Sequence, residues 1–402
     1  MFVALTTQQL LYLNVLVNSG ALCTDEYQTA GAFAAQLLKE EAGPKERVIL
    51  QKILADDRLR NVRIVRADCE DWGAGYCAFA DGNGELVLAF RGTTSGPEWY
   101  DNFSGANRAD SPHQLAARAY LDGLDLSGWE NVTVTGHSKG GNKAMYCATV
   151  SDKVDRCVSF DGQGFSDEFM EKYAYRIADQ QGRIENHCAG GDYINVLLNG
   201  IGERVYYETF NPSNDFFLNH ELSAMCDANG RMQPGAQQAE AQEFAAFANA
   251  CLRTLPASRR DSTLDYLGKM AALVLKGDTA TAGAEDLSAL IHQRRYRREL
   301  TWLLGYVIRY ERETGVPINA LRGIIENQNI SAAFQGIGER LLDLLEWQAK
   351  NPLAAWGVAS GINFLVEDAA WSYILEVISD AAWLSARIVI DYDSQPSEYA
   401  SA

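Results

Sequence analysis

Ser138 stands between two glycines in Gly136-His137-Ser138-Lys139-Gly140. A β-rich run, NVTVT (131–135), precedes this group and an amphipathic helical run, 139–150, follows it. A serine on a sharp turn from strand to helix has its hydroxyl lifted clear of the sheet. The flanking glycines let strand and helix approach each other. The helix N-terminus aims N–H groups and the positive end of its dipole at developing negative charge. The chemistry to expect of such a residue is nucleophilic attack on an acyl carbon, with a covalent intermediate.

A serine hydroxyl needs a base, and the chain has five histidines: His113, His137, His187, His220 and His292. Where the nucleophile occupies this kind of turn, the chain order is serine, then acid, then histidine. That order excludes His113. His137 sits inside the turn, where its ring does not easily reach the neighbouring hydroxyl. His187 lies in a predicted strand and is expected to be packed. His292 opens a basic run, His292-Gln293-Arg294-Arg295, expected on a solvated helix face. His220, in the loop-like stretch NPSNDFFLNHELS (211–223), is favoured as the base over a surface loop histidine.

The acid should follow a strand between residues 138 and 220. Asp192 fits best, in the turn that ends CAGGDYINVL (188–197), and would fix the tautomer of the imidazole. Asp161, in SFDGQGF (159–165), is the competitor, although Asp-Gly also suits a tight turn. Asp215 is a weaker third. Two oxyanion donors are expected: the backbone N–H of Lys139, which follows the nucleophile, and that of Thr93, in Arg91-Gly92-Thr93-Thr94 after the strand ending at Phe90.

The elements that must hold these residues follow from periodicity. Residues 6–19 and 29–56 show helical spacing, with Pro44 as a break. VRIVRADC (62–69), GYCAFAD (75–81) and ELVLAF (85–90) are β-rich, and DGNG (81–84) turns the last two into a hairpin. Helical and β-rich segments then alternate: helix at 113–125, β at 132–135, helix at 139–150, β at 154–160, helix at 166–180, β at 183–189 and 205–210. Alternation implies βαβ units, a mostly parallel sheet and helices on both faces. Past residue 236 the β signal ceases. Helices are expected at 237–255, 261–276, 284–314, 317–327, 331–350 and 362–391, with a loop at GDTATAGAED (277–286). The expected division is a catalytic domain over 1–235 and a helical C-terminal domain over 236–402.

Composition supports this reading. The 402 residues are 47% hydrophobic and 22% charged, which is ordinary for a globular chain. A net charge of -18 repels phosphate backbones, so nucleic acid is not an expected partner. The 8 cysteines show neither C-x-x-C nor zinc-ligand spacing and are expected as reduced, buried residues. The N-terminus lacks the basic region of a signal peptide. No stretch approaches the roughly 20 apolar residues of a membrane span. The expected location is the cytoplasm. No metal or organic cofactor is expected.

The chain resembles the class 3 lipases, the fungal-lipase-like branch of the α/β-hydrolases. The matching segments are LVLAFRGTTS (86–95) with EWYDNF (98–103), then VTVTGHSKGGNKA (132–144), about 45 residues on. It is most similar to a bacterial lipase-like family of unknown function whose members show GHSKGGN and a downstream F-D-G-x-G-F, here 160–165. The resemblance implies an α/β-hydrolase fold and hydrolysis of a small-molecule or lipid ester. It puts Ser138, Asp192 and His220 on the triad and Thr93 and Lys139 on the oxyanion positions. Lys139 departs from the leucine usual in well-studied lipases and adds a charge beside the site. The resemblance ends near residue 230. Residues 94–112 fall where a lid or rim would be. The rival readings are a thioesterase or lysophospholipase, and a non-catalytic scaffold that binds a protein partner through the helical half.

Overall fold

The computed structural model describes residues 3–19, 28–40, 42–69, 75–94, 96–211, 215–274, 289–326, 332–352 and 369–392. Cys23, the loop expected at 277–286 and the first residues of the helices expected from 284 and 362 lie outside them. The chain divides into two compact units, one running to Ala241 and one from Gln242 to Gln395.

The first unit is built on a seven-stranded sheet in sequential order: β1 (Arg63–Cys69), β2 (Gly75–Ala80), β3 (Glu85–Phe90), β4 (Asn131–His137), β5 (Arg156–Phe160), β6 (Ile184–Ala189) and β7 (Glu203–Tyr207). β1, β2 and β3 are antiparallel neighbours, as the DGNG turn requires; β3 to β7 are parallel throughout. This is an α/β architecture with a mostly parallel sheet, and a helical region follows it.

Alternation along the strands explains the two cores. Tyr76, Ala78, Leu86, Leu88, Phe90, Val132 and Val134 point to one face. There they meet α6 (Pro112–Asp122), α7 (Lys139–Val150) and α9 (Ala174–Gln180), with α8 (Asp167–Lys172) leading into α9. Helices on a single face are what crossovers of one hand produce in a sequentially ordered parallel sheet. Cys77, Phe79, Val87, Ala89, Val158 and Phe160 point the other way. That face is covered by α1 (Thr7–Asn18), α2 (Ala30–Leu37) and α3 (Pro44–Ala55) from before the sheet. Every residue of β2 and β3 is buried, as expected of strands covered on both faces.

α1 is tied down by more than its apolar face. Its N-terminal cap is a capping box between Thr6 and Gln9. The backbone N–H of Leu5 donates to the fully buried Glu85 carboxylate at 2.6 Å, and the Thr133 hydroxyl donates to the other oxygen at 2.6 Å.

The second unit has its own core. Helices Ala239–Thr254, Arg297–Thr314, Ala332–Lys350 and Ala369–Ser385 pack around Phe247, Trp302, Tyr306, Leu345 and Ile378. Gly305 lets two helices approach closely: a Cβ there would stand 3.0 Å from the Ala381 carbonyl oxygen. The single helix expected over 284–314 is interrupted after a helical stretch at 289–291. His292 lies in a turn, a 3-10 turn covers Arg294–Tyr296, and the helix begins at Arg297. Among the described residues no helix is long and apolar enough to cross a membrane. Six cysteines, Cys77, Cys147, Cys157, Cys188, Cys226 and Cys251, are free thiols.

Candidate active site

Ser138 joins the end of β4 to the start of α7 with φ 58° and ψ -124°, a left-handed conformation costly for a residue with a Cβ. Its N–H donates to the Phe160 carbonyl at 2.9 Å, so β5 holds the turn in place. The glycines are obligatory on contact distance. A Cβ on Gly136 would lie 2.2 Å from the Gly140 carbonyl, and one on Gly140 would lie 2.0 Å from the Phe90 carbonyl oxygen. Both obstacles are backbone, which cannot rotate aside. Gly140→Ala is therefore expected to destabilise by about 3 kcal/mol or more, at the upper end of overpacking costs, measured by urea unfolding. A loss under about 1 kcal/mol would mean that strand and helix are less tightly joined than these distances require.

His220 follows a single helical turn, α10 (Phe216–Asn219). Asp215 caps that turn, accepting from the N–H groups of Phe217 and Leu218. The third acid candidate thus has a structural task. His220 Nδ1 lies 3.0 Å from Asp192 Oδ1. Asp192 sits in the turn after β6, 1% exposed, and also accepts from the N–H groups of Ile194 and Asn195 at 3.0 and 2.8 Å. An ionised Asp192 takes the proton on Nδ1 as a hydrogen bond and leaves Nε2 as a lone pair.

Two further side chains meet this pair: His137, set aside as a base, and Asp161, the competing acid candidate. His137 Nε2 lies 2.7 Å from the backbone carbonyl of His220, and the two rings are 4.8 Å apart. A carbonyl only accepts, so Nε2 of His137 carries the proton. Burial, reinforced by His220, holds this imidazole well below its ordinary pKa, hence neutral. Ser138 is the next residue, so the base candidate is fastened to the residue beside the nucleophile candidate. The second neighbour is Asp161, expected as a turn residue. It does occupy a turn, with φ 47°, but its side chain is fully buried. Its Oδ1 accepts from Ala189 N–H and Asn195 Nδ2, both at 2.8 Å. A glycine at 161 would satisfy the turn but leave the Ala189 N–H without this acceptor and Asn195 Nδ2 with the Ala189 carbonyl alone.

Ligand atoms of His137, Asp161 and His220 lie within 4.8 Å of one another. Nε2 of His137, Nδ1 of His220 and Oδ1 of Asp161 already have the partners just named. A metal ion would have to displace those bonds or use the remaining atoms.

Gly92 abuts the turn: a Cβ there would be 3.6 Å from Ser138 Cβ. Its N–H donates to Asn18 Oδ1 of α1 at 2.9 Å. Thr93 follows, its hydroxyl accepting from Asn102 Nδ2 at 3.0 Å. Lys139 does not present a charge to the site. Its side chain is buried and its Nζ is 2.7 Å from Asp101 Oδ2. Asp101 belongs to α5 (Gly96–Ser104), in the segment where a lid or rim would fall. The same helix supplies Glu98, fully buried, 3.7 Å from Lys143 Nζ and 3.9 Å from His113 Nδ1. Burial lowers the Lys143 ammonium to about 8 against the favourable charge of Glu98. The EWYDNF motif is thus the counter-charge of the two lysines in GHSKGGNK.

His113, excluded from base duty by chain order, is 3% exposed in this cluster. Burial drives its imidazole down to about 4, with Asp101 opposing and Lys143 and Lys139 assisting. The unfolded chain binds this proton near pH 6.5. The stability contribution is therefore complete above pH 6.5 and is lost as pH falls toward 4. In His113→Gln, unfolding free energy should depend less steeply on pH over that window, by up to about 1.4 kcal/mol per pH unit. Parallel pH profiles would mean that the folded protein keeps this imidazole charged.

His187 is buried on β6, between the Tyr207 hydroxyl at 2.9 Å and Glu185 at 3.1 Å, as its strand position implied. A cleft of about 490 Å³ opens beside His137. Val15, Leu37, Leu50 and Leu222 are its buried apolar lining; exposed Glu40, Glu46 and Glu221 rim it.

Residues 64–207 match the family described as Mbeg1-like. That span contains Ser138, Asp161 and Asp192 and stops before His220. The extracellular phospholipase A1 of Serratia liquefaciens is 24% identical over 213 residues, 49% of this chain and 66% of that protein. The chain thus spans just under two thirds of that relative. A solved structure titled as that of M37 lipase aligns over 73% of this chain and all of its own at 14% identity, with a TM-score of 0.32. The similarity to that family and to the phospholipase A1 thus covers part of the chain.

Proposed function

We propose that this protein is a serine hydrolase that cleaves lipid carboxylic esters, with Ser138 as nucleophile, His220 as base and Asp192 as acid. The observations that support the reading are the left-handed Ser138 and an imidazole, tethered through its backbone carbonyl to the neighbouring His137, whose Nδ1 is bonded to a buried carboxylate. The similarity to a protein named phospholipase A1 supports an ester of a lipid.

In this mechanism His220 Nε2 takes the hydroxyl proton as Ser138 Oγ attacks the carbonyl carbon. The imidazolium is stabilised by Asp192, which keeps its charge. The backbone N–H groups of Lys139 and Thr93 receive the oxyanion, each such donor contributing about 2.7–4 kcal/mol in the transition state. His220 returns its proton to the leaving alcohol. Water then repeats the sequence on the acyl-enzyme. The apolar lining of the cleft beside His137 suits the acyl chain, and its acidic rim disfavours an anionic group at the mouth. The reading assigns all of this chemistry to residues 1–235 and none to the helical domain, 236–402. The free, buried thiols support a reducing compartment.

The test is a p-nitrophenyl ester series from acetyl to long acyl chains, run on the full chain beside phosphatidylcholine vesicles. Turnover should rise with chain length beyond acetate and extend to the vesicles. Hydrolysis confined to the shortest esters would count against a lipid substrate. A folded protein that neither turns over any ester nor reacts with a fluorophosphonate would sink the hydrolase.

A further inference from the structure

Asp161 and Asp192 approach the site from different strands, β5 and β6, and both side chains are buried. One residue joins them: Asn195 donates its backbone N–H to Asp192 Oδ2 and its Nδ2 to Asp161 Oδ1, both at 2.8 Å, so the two carboxyl groups share one buried pocket. The donors around them are unequally shared. Asp192 receives three: His220 Nδ1, Ile194 N–H and Asn195 N–H. Asp161 receives two, both on Oδ1, and its Oδ2 is buried without a donor. Two carboxylates this close in a water-excluded pocket cannot both ionise.

Among the described residues the ion-pair partner of the pair is His220, 3.0 Å from Asp192, and none is seen for Asp161. From β4 Asp161 faces the neutral ring of His137, and from β6 the buried thiol of Cys188. From the segment after β7 it faces His220. On β7, Tyr206 also lies in its field, and Arg204 there is engaged by the Tyr206 hydroxyl. The remedy left is a proton, and the unsatisfied oxygen of Asp161 is where an O–H would have an acceptor to meet.

We propose that Asp161 is a positioning residue held as a neutral carboxylic acid, which donates its proton to Asp192 and stands as a latent second acid for His220. This rests on the triad reading given above. The proton does not move during turnover. Ser138 gives its proton to His220 Nε2, Nδ1 keeps its own toward Asp192, and the Asp161 O–H continues to hold the far side of that carboxylate. Burial and the Asp192 charge both raise the Asp161 carboxyl well above its ordinary range, in the direction this requires. If Asp192 loses its charge, the repulsion is gone and burial alone holds the proton on Asp161, against the pull of the imidazolium that forms on His220 during turnover. Asp161 then ionises within 4.8 Å of the imidazole and supplies the missing negative field.

The experiment compares the full chain with D161N, D161A, D192N and D161N/D192N, by infrared spectroscopy at pH 7 and by p-nitrophenyl ester hydrolysis. The carbonyl stretch of a protonated carboxyl should be present in the parent and absent from D161N and D192N. D161N, whose amide donates in place of the O–H, should retain at least about tenfold more turnover than D161A, which offers Asp192 no donor. D192N should remain at least about tenfold more active than D161N/D192N. No protonated-carboxyl band assignable to residue 161, or equal activity of D192N and the double variant, overturns the proposal. If the parent turns over no ester, the triad reading fails, and the infrared band alone decides whether the pair shares a proton.

Discussion

Ser138→Ala should abolish ester hydrolysis by about 10⁴-fold or more and remove fluorophosphonate labelling altogether, while the fold persists. The size follows from what is removed. Without the hydroxyl there is no acyl-enzyme, and the remaining donors contribute only the residual acceleration of an oxyanion site acting on water. The fold should persist because the contacts that define the turn are made by backbone and by Gly136 and Gly140. Alanine keeps the Ser138 N–H that donates to Phe160. Alanine also suffers the same left-handed φ as serine, so little strain is added or relieved. The checks are turnover of a p-nitrophenyl ester and in-gel labelling of parent and variant at matched concentration. A variant that still turns over or labels within tenfold of the parent would place the nucleophile elsewhere.

The elbow and the sheet around it were legible in the sequence because their signals are local. A strand ends, a glycine, a serine and a glycine follow, and a helix starts; no distant residue is needed to recognise it. β2 and β3 were legible for the same reason, their turn being written in DGNG. The candidates for acid and base follow from elimination and chain order, and the structure puts Asp192 and His220 3.0 Å apart. What sequence reasoning missed depends on contacts across the sheet. His137 was dismissed because its ring does not reach its neighbour's hydroxyl. That ring instead holds the carbonyl of residue 220, a partner 83 positions away. Asp161 is legible as the competing acid, with Asp-Gly as a turn signal beside it, but its pairing with Asp192 is not. Its side chain faces Asp192 only because β5 and β6 are adjacent and parallel. The one available hint was that two acids followed two successive strands at equivalent places.

Lys139 carries the clearest lesson about charge, and the second large effect. Read along the chain, it adds a cation beside the nucleophile. In the structure it is one half of a buried pair with Asp101, at 2.7 Å. Neither partner is solvated, so removing one leaves an uncompensated charge in the interior. D101N and K139M should each destabilise by about 3–5 kcal/mol. The double variant D101N/K139M removes both charges and keeps an oxygen at 101 to accept from the His113 N–H, which now meets Oδ1 at 3.2 Å, while the new amide can donate to the Ser111 hydroxyl oxygen, now 2.7 Å from Oδ2. It should therefore be considerably more stable than the sum of the single changes predicts, with a coupling of about 2 kcal/mol or more in a double-mutant cycle of urea unfolding. Additive losses would show that the pair acts separately on folding. Activity makes a separate prediction. If the oxyanion donor at 139 is the backbone N–H, the side chain matters only through where it holds α5 and the turn. The folded double variant should then keep fluorophosphonate reactivity within about tenfold, whereas a donor supplied by the ammonium itself would be lost with it.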